Sequence, residues 1–105
     1  MKPLFIPLKT EYFRAFQSGM KVVEYRQYGP RWNERTCPVG RPVVLSHGYG
    51  KRERLQGVVS GFSVDTNPTQ IAAWREVYGD STSSVAACIR ITLNTGNERP
   101  NGSAQ

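Results

Sequence analysis

The chain has 105 residues and a formal net charge of +6, with 14 Lys and Arg against 8 Asp and Glu, so we expect one domain with one modest core. No apolar run approaches the ~20 residues of a membrane-spanning helix, and the proline-broken N-terminal segment does not resemble a signal peptide. Two Cys and one His are too few for a disulfide scaffold or a closed zinc site, so we predict a cytoplasmic protein without metal or cofactor.

Local patterns predict two short helices among five or six strands. Pro3 and Pro7 flank or interrupt the first strand, at residues 4–8, which suits a sheet edge because proline removes a backbone donor. A helix should follow with Thr10 as its N-cap and end at Gly19. In chain order we then expect a strand over 20–28, a polar connection over 31–35, a strand over 42–46 and a strand over 55–64 bent or bulged at its glycines. A helix that begins near Pro68 and closes at Gly79, and a strand over 85–93, complete the series.

The sum of these elements predicts an α+β fold. Because the strands dominate and the connections are short, we expect a small, twisted, mostly antiparallel sheet or barrel. The domain should span residues 1–93. Residues 94–105 have almost no apolar content and are predicted to form a disordered tail.

The densest polar cluster follows the first helix directly. Lys21, Glu24 and Arg26 lie within six residues. In a regular strand Lys21 and Glu24 would point to opposite faces, whereas a bulge or a barrel rim would bring them into one cleft. Glu24 and Arg26 share a face, so they form either a rim ion pair or the two sides of a ligand site, and the spacing alone leaves both possibilities open.

This cluster resembles a known signature. Gly19-x-Lys21-x-x-Glu24-x-Arg26 is similar to the GxKxxExR motif of the ASCH domain, a PUA-like β-barrel. A Val-Gly turn, a strand that ends in a small-residue loop and a glycine-containing strand follow in the order of that family, so the resemblance covers roughly residues 4–93. It implies a PUA-like β-barrel with a cleft beside the signature strand that takes RNA or a nucleoside.

The resemblance also implies possible activities. Some small bacterial ASCH proteins act as ribonucleases, and others are amidohydrolases that deacetylate N4-acetylcytidine with a Lys, a Thr and a Glu. Lys21 matches the Lys, but Glu24 stands where the Thr nucleophile falls, and Glu76 is the nearest counterpart of the Glu. We therefore expect an RNA- or nucleoside-binding domain with ribonuclease activity on single-stranded RNA. An amidohydrolase of N4-acylated cytidines is the alternative, and a non-catalytic regulatory module is the second alternative.

Charge and aromatic patterning independently favour RNA. Ten of the fourteen cations are Arg, which forms planar, bidentate contacts with phosphate. Arg is interleaved with aromatic residues around positions 25–35 and 49–54, as expected of a surface that tracks phosphates and stacks on bases. Trp32 could equally belong to the core. The predicted RNA- or ligand-binding residues are Arg26, Tyr28, Arg31, Trp32, Ser46, Lys51 and Arg52.

The only histidine, His47, lies in a glycine-rich basic loop. A histidine in a loop can be a surface residue without a catalytic role, but an imidazole suits general acid–base catalysis near neutral pH. A metal-free ribonuclease needs a base for the 2′-hydroxyl, an acid for the leaving oxygen and a cation for the phosphorane. We predict that Lys21, Glu24, Tyr49 and His47 supply these catalytic groups.

Overall fold

Five strands and two helices form the fold in a computed structural model, which describes residues 1–50, 52–78 and 85–94. The strands are β1 (Leu4–Leu8), β2 (Val23–Gln27), β3 (Pro42–His47), β4 (Arg54–Asp65) and β5 (Ala86–Leu93). The helices are α1 (Thr10–Ser18) and α2 (Ala72–Tyr78), with a 3₁₀ turn at Pro68–Gln70 before α2. The predicted small α+β fold is confirmed.

The strands form one sheet in the order β1-β3-β4-β5-β2, which curls into a half-barrel. β1 runs parallel to β3, and the three other neighbouring pairs are antiparallel. β1 and β2 are therefore the two edges of the sheet. Pro7 lies in the edge strand β1, as its missing backbone donor predicts.

The core lies on the concave side of this sheet. Alternate residues of β1 are buried, and α1 covers them with Phe13 and Phe16, which are three residues apart on one helix face. Trp32 also joins the core, with 8 % of its surface exposed. The other buried members are Leu4, Ile6, Leu8, Cys37, Val43, Leu45, Val59, Ala87, Ile89 and Ile91.

The N-cap of α1 and the start of β2 differ from the predictions. The N-cap of α1 is Lys9 rather than Thr10, because the backbone of Lys9 is extended while its carbonyl already accepts from the Phe13 amide at 2.9 Å. The Thr10 hydroxyl bonds to His47. β2 begins at Val23 rather than at residue 20. Gly19 adopts a left-handed conformation (φ 85°), and the Lys21 amide then donates to the Ala15 carbonyl at 3.0 Å, so this segment wraps the helix end before the strand starts.

The bulge predicted in β4 is present, between Val59 and Gly61. Gly57 lies against β5 so closely that a Cβ there would be 2.4 Å from the Thr92 carbonyl oxygen.

The predicted helix start at Pro68 is a 3₁₀ turn that leads into α2. The predicted helix end at Gly79 and the predicted tail beyond residue 94 lie outside the described residues.

Candidate functional site

The side chain of Arg26 on β2 links the two edges of the half-barrel. Its Nη2 donates to the Pro7 carbonyl of β1 at 2.8 Å, and its Nε donates to Glu24 Oε2 at 2.8 Å. Beside this bridge opens a cavity of about 200 Å³, which we call the seam cleft. It is lined by residues 7–9 at the end of β1, by Tyr12 of α1, by Lys21, Glu24, Tyr25 and Arg26, and by Trp74, Val77 and Tyr78 of α2.

One carboxylate and two cations form the floor of the seam cleft. Glu24 is buried, with 8 % of its surface exposed, and Lys21 Nζ lies 3.7 Å from its Oε1. Lys21 reaches the same side as Glu24 because it precedes the first residue of β2, so strand alternation does not set its direction. Burial lowers the pKa of the Lys21 amine, an effect that Glu24 opposes and Arg26 reinforces.

Aromatic rings surround the amine of Lys21. Its Nζ lies 5.5 Å from the ring centroids of Tyr12 and Phe16 and 4.9 Å from that of Tyr25, within the range of cation–π attraction. These rings attract the charged amine, but they also exclude water from it, and the loss of solvation lowers its pKa. Lys21 is therefore held in place on several sides, which fixes a positive charge at the cleft floor.

α2 supplies a second aromatic wall. The rings of Trp74 and Tyr78 are 4.2 Å apart between centroids and inclined at 33°. Trp74 is 1 % exposed, yet among the described residues its indole N–H has no hydrogen-bond partner. Aromatic walls above a charged floor can hold a planar ring that carries polar groups at its edge.

A hydrogen bond links the two helices that flank the seam cleft. The Tyr12 hydroxyl donates to Glu76 Oε1, and this bond is the main reason that the pKa of Tyr12 rises to about 12. Tyr12 is thus a neutral phenol at physiological pH. Glu76, predicted as the nearest counterpart of the Glu used by ASCH amidohydrolases, is exposed on α2 and accepts this bond.

The four predicted catalytic residues are not in one place. Lys21 and Glu24 line the seam cleft, whereas His47 lines a separate depression with Gly50, Arg52 and Glu53. Tyr49 lines neither of them; it is 83 % exposed and lies 6.5 Å from the Phe5 ring. A mechanism that uses all four groups at one scissile bond therefore has no geometric support.

Two of the predicted ligand-binding residues are buried. The Trp32 ring is in the core, and Arg26 and Arg31 each lie 5.1 Å from its centroid, so Trp32 is unavailable to stack on a base. Ser46 is completely buried and its hydroxyl donates to the Gly50 carbonyl at 3.1 Å, which stabilises the turn after β3. Both side chains therefore lie within the fold rather than on its surface.

The other predicted ligand-binding residues are distributed over the surface. Arg26 lines the seam cleft, and Arg31 and Arg52 are exposed. Tyr28 is 37 % exposed and its hydroxyl donates to Glu34 Oε1. Lys51 lies outside the described residues.

Sequence reasoning missed the aromatic wall on α2 and the lysine at the end of β1. Trp74 and Tyr78 are four residues apart, so helical spacing alone places them on one face, and that spacing indicates packing as readily as a ligand site. No sequence pattern indicated that Lys9 would line a ligand site. Only the position of α2 over the seam shows that these three side chains share a cavity.

Comparisons with known proteins define the fold. No family model and no curated protein matches the sequence. The fold is similar to that in a crystal structure of hypothetical protein PH0355, with a TM-score of 0.64 and 18 % sequence identity over 89 % of this chain and 100 % of that one. Within the described part of the chain, no helix is long and apolar enough to cross a bilayer, and no three His, Cys, Asp or Glu side chains group as metal ligands.

Proposed function

We propose that the protein binds a nucleoside unit, free or within single-stranded RNA, in the seam cleft. The observation that carries the proposal is the pairing of aromatic walls with a charged floor in one small cavity. At about 200 Å³ the cleft is smaller than the ~300–1,000 Å³ typical of drug-sized pockets, which suits one base or nucleoside better than a large cofactor.

The charges of the cleft agree with this ligand. Among the described residues that line it, Lys9, Lys21 and Arg26 accompany one acid, Glu24, so the balance of these residues is positive and favours a phosphate or a phosphate-bearing strand. A buried carboxylate such as Glu24 accepts hydrogen bonds from exocyclic amines of bases. The resemblance to the ASCH signature supports the same ligand class.

Stacking would supply much of the affinity. A base that stacks on an aromatic side chain gains about 1–3 kcal/mol, largely independently of its identity. Tyr78 offers a partly exposed ring on the cleft wall, beside the buried indole of Trp74. Ligand specificity would then come from polar contacts with Glu24, Arg26 and the unpartnered indole N–H.

Tryptophan fluorescence tests the proposal directly, because Trp74 lines the cleft. We expect single-stranded RNA or free nucleosides to quench its emission, and Trp74→Phe to abolish the signal. Lys21→Met should weaken RNA binding at least about tenfold by removing the fixed charge. The binding constant should fall with salt at a slope near −0.7 per phosphate contact.

Lys2→Met is the matched control, because it makes the same charge change at an exposed residue outside the cleft. Equal losses for Lys2→Met and Lys21→Met would show nonspecific attraction by net charge and would contradict a cleft site. Quenching by nucleosides but not by RNA would assign the cleft to a free ligand. Absence of binding by both would contradict the proposal.

A second candidate function is hydrolysis of the acyl amide of an N4-acylated cytidine in the same cleft. The lowered pKa of Lys21 beside the buried carboxylate of Glu24 favours it, because such pairs are typical of acid–base sites. With no Thr at this position, Glu24 would accept the proton of an attacking water while Lys21 polarises the acyl oxygen. Release of cytidine from a panel of acylated cytidines, lost in Lys21→Met and Glu24→Gln, is the expected result, and no turnover across the panel would end this candidate.

Ribonuclease activity is tested on the same preparations. Since His47 and Tyr49 lie outside the seam cleft, RNA cleavage there would depend on Lys21 and Glu24. Cleavage of single-stranded RNA that persists at full rate in Lys21→Ala and Glu24→Ala would place the activity elsewhere.

A further inference from the structure

A hydroxyl, an imidazole and a carboxylate are hydrogen-bonded in series outside the seam cleft. Thr10 Oγ1 lies 2.7 Å from His47 Nε2, and His47 Nδ1 lies 2.9 Å from Glu53 Oε1. Both distances are typical of the hydrogen bonds in a catalytic triad, in which the nucleophile bonds to a base and the base bonds to a third group that orients it. None of the three residues lines the seam cleft.

The backbone explains why residues so distant in sequence meet. β1 and β3 are parallel with Leu8 opposite His47, so their carboxyl ends reach the same edge, and Thr10 follows two residues later. The Gly48 amide donates to the Leu8 carbonyl at 2.9 Å, which ties the two strand ends together. Glu53 stands across the β3–β4 turn, where its carbonyl accepts from the His47 amide at 3.1 Å.

The hydrogen-bond pattern fixes the tautomer of a neutral His47. Arg14 binds both carboxylate oxygens of Glu53, at 2.7 and 2.8 Å, and together with His47 it lowers the pKa of Glu53 to about 2. An ionised carboxylate only accepts hydrogen bonds, so Nδ1 carries the proton and Nε2 is left to accept from the Thr10 hydroxyl. The Phe13 ring, stacked on the imidazole at 5.3 Å and 19°, holds its plane.

The Thr10 hydroxyl is not used for helix capping. The N-cap is Lys9, which makes no side-chain capping bond, and Thr10 is exposed. One residue separates β1 from Thr10 at the start of α1, a strand–turn–helix placement that presents a nucleophile in other hydrolytic folds. No described residue accepts a hydrogen bond from the Thr10 or Glu11 amide, so the first turn offers free donors beside the hydroxyl.

We propose that Thr10, His47 and Glu53 form a second, hydrolytic site that cleaves activated carboxylic esters. Thr10 Oγ1 attacks the acyl carbon as its proton passes to His47 Nε2, and the amides of the first turn of α1 stabilise the oxyanion. The ester C–O bond then breaks, and the leaving oxygen takes the proton from Nε2. Water attacks the acyl-threonine with Nε2 again accepting a proton, which returns to Thr10 as the free acid leaves.

The surroundings favour an acyl group that carries a negative charge. His47 and Glu53 line an open depression of about 470 Å³ together with Gly50 and Arg52. Arg14 is engaged by Glu53, whereas Arg52 is exposed and forms no ion pair with any described residue. Arg52 can therefore bind a carboxylate of the acyl group, which makes a half-ester of a short dicarboxylic acid the preferred substrate class.

The test compares two nitrophenyl esters, a monoester of succinic acid and the neutral butyrate, with the full chain. The carboxylate of the succinate also expels nitrophenolate without protein, so the rate of that reaction is subtracted first. We then expect faster nitrophenolate release from the succinate and a succinyl group located on Thr10 by mass spectrometry of rapidly quenched protein. Thr10→Val should abolish the adduct and reduce release to the uncatalysed rate, and Thr10→Ser should retain both. His47→Gln should lower the rate about 10²–10⁴-fold, since it removes the general base.

Two controls separate catalysis from structure. Thr66→Val makes the same change at an exposed threonine in the loop after β4 and should leave the rate unaltered. Arg52→Gln should raise KM for the succinate with little change in kcat or in butyrate hydrolysis. Acylation of Lys9 or another residue in place of Thr10, or hydrolysis by folded Thr10→Val at the wild-type rate, would overturn the proposal; if Thr10→Val does not fold, the acylated residue in the wild-type chain decides.

Discussion

At the residue scale, Lys21 and Glu53 show two opposite ways of setting a charge. Burial among aromatic rings lowers the pKa of Lys21 and works against its charged form. Glu53 is exposed at 41 % of its side chain, but bonds from Arg14 and His47 lower its pKa to about 2 and favour its charged form. The pKa of Lys21 therefore depends on its burial, whereas the pKa of Glu53 depends on hydrogen bonds from Arg14 and His47.

Glu53→Gln tests that dependence through the pH profile of stability. The pKa of Glu53 in the folded chain, about 2, lies below its ordinary value near 4.5. The ionised carboxylate therefore contributes stability above pH 4.5, and this contribution is lost as pH falls from about 4.5 towards 2. We expect the wild-type chain to have a higher Tm than Glu53→Gln near neutral pH, with the difference shrinking across that acidic window.

Glu11→Gln is the control, because it neutralises an exposed carboxylate on the same helix as Arg14. Its Tm should stay close to that of the wild type throughout. Wild-type and Glu53→Gln curves that run parallel through the acidic window would show that Arg14 and His47 do not hold the charge of Glu53.

At the scale of elements, the contact of β4 with β5 depends on one glycine. A Cβ at Gly57 would lie 2.4 Å from the Thr92 carbonyl oxygen and 3.0 Å from the Leu93 Cα, both backbone atoms that cannot rotate away. Gly61, on the far side of the bulge, would place its Cβ 3.5 Å from the Arg90 side chain, an ordinary contact. The two glycines of one strand therefore have different structural requirements.

Gly57→Ala should destabilise the chain by about 1–3 kcal/mol, because the new methyl forces β4 away from β5. Gly61→Ala should change the free energy of unfolding much less, and it serves as the matched variant in the same strand. Urea denaturation of both proteins measures the difference. Equal effects of the two substitutions would show that close approach at Gly57 is not what the strand pairing requires.

The elements themselves were largely predictable from sequence, because their causes are local. Proline in β1, the left-handed Gly19 and the glycines of β4 each act within a few residues. The candidate sites were predictable only in part. Lys21 and Glu24 share a cleft because residues before β2 wrap the helix end, and Thr10 meets His47 because β1 and β3 are parallel, a pairing that no local pattern shows.

At the scale of the whole molecule, the half-barrel leaves a seam between its edge strands that one guanidinium spans. Two nitrogens of Arg26 act in different directions, Nε towards Glu24 on β2 and Nη2 towards the Pro7 carbonyl on β1. The same group lies over the Trp32 ring at 5.1 Å, so it also covers the core. Arg26 thus both links the two edge strands and forms part of the floor of the seam cleft.

Arg26→Lys tests this coupling. A lysine keeps the charge but has a single nitrogen, which cannot donate to Glu24 and Pro7 in the geometry of the guanidinium. We expect the free energy of unfolding to fall by about 1–3 kcal/mol, as for the loss of a charge-assisted hydrogen bond, with faster amide hydrogen exchange in β1 and β2 and weaker ligand binding in the cleft. Arg35→Lys makes the same exchange at an exposed arginine outside the cleft and should change none of these quantities. If Arg26→Lys matches the wild type in stability and exchange, the seam is held by the sheet alone; if only binding is lost, Arg26 serves the ligand rather than the fold.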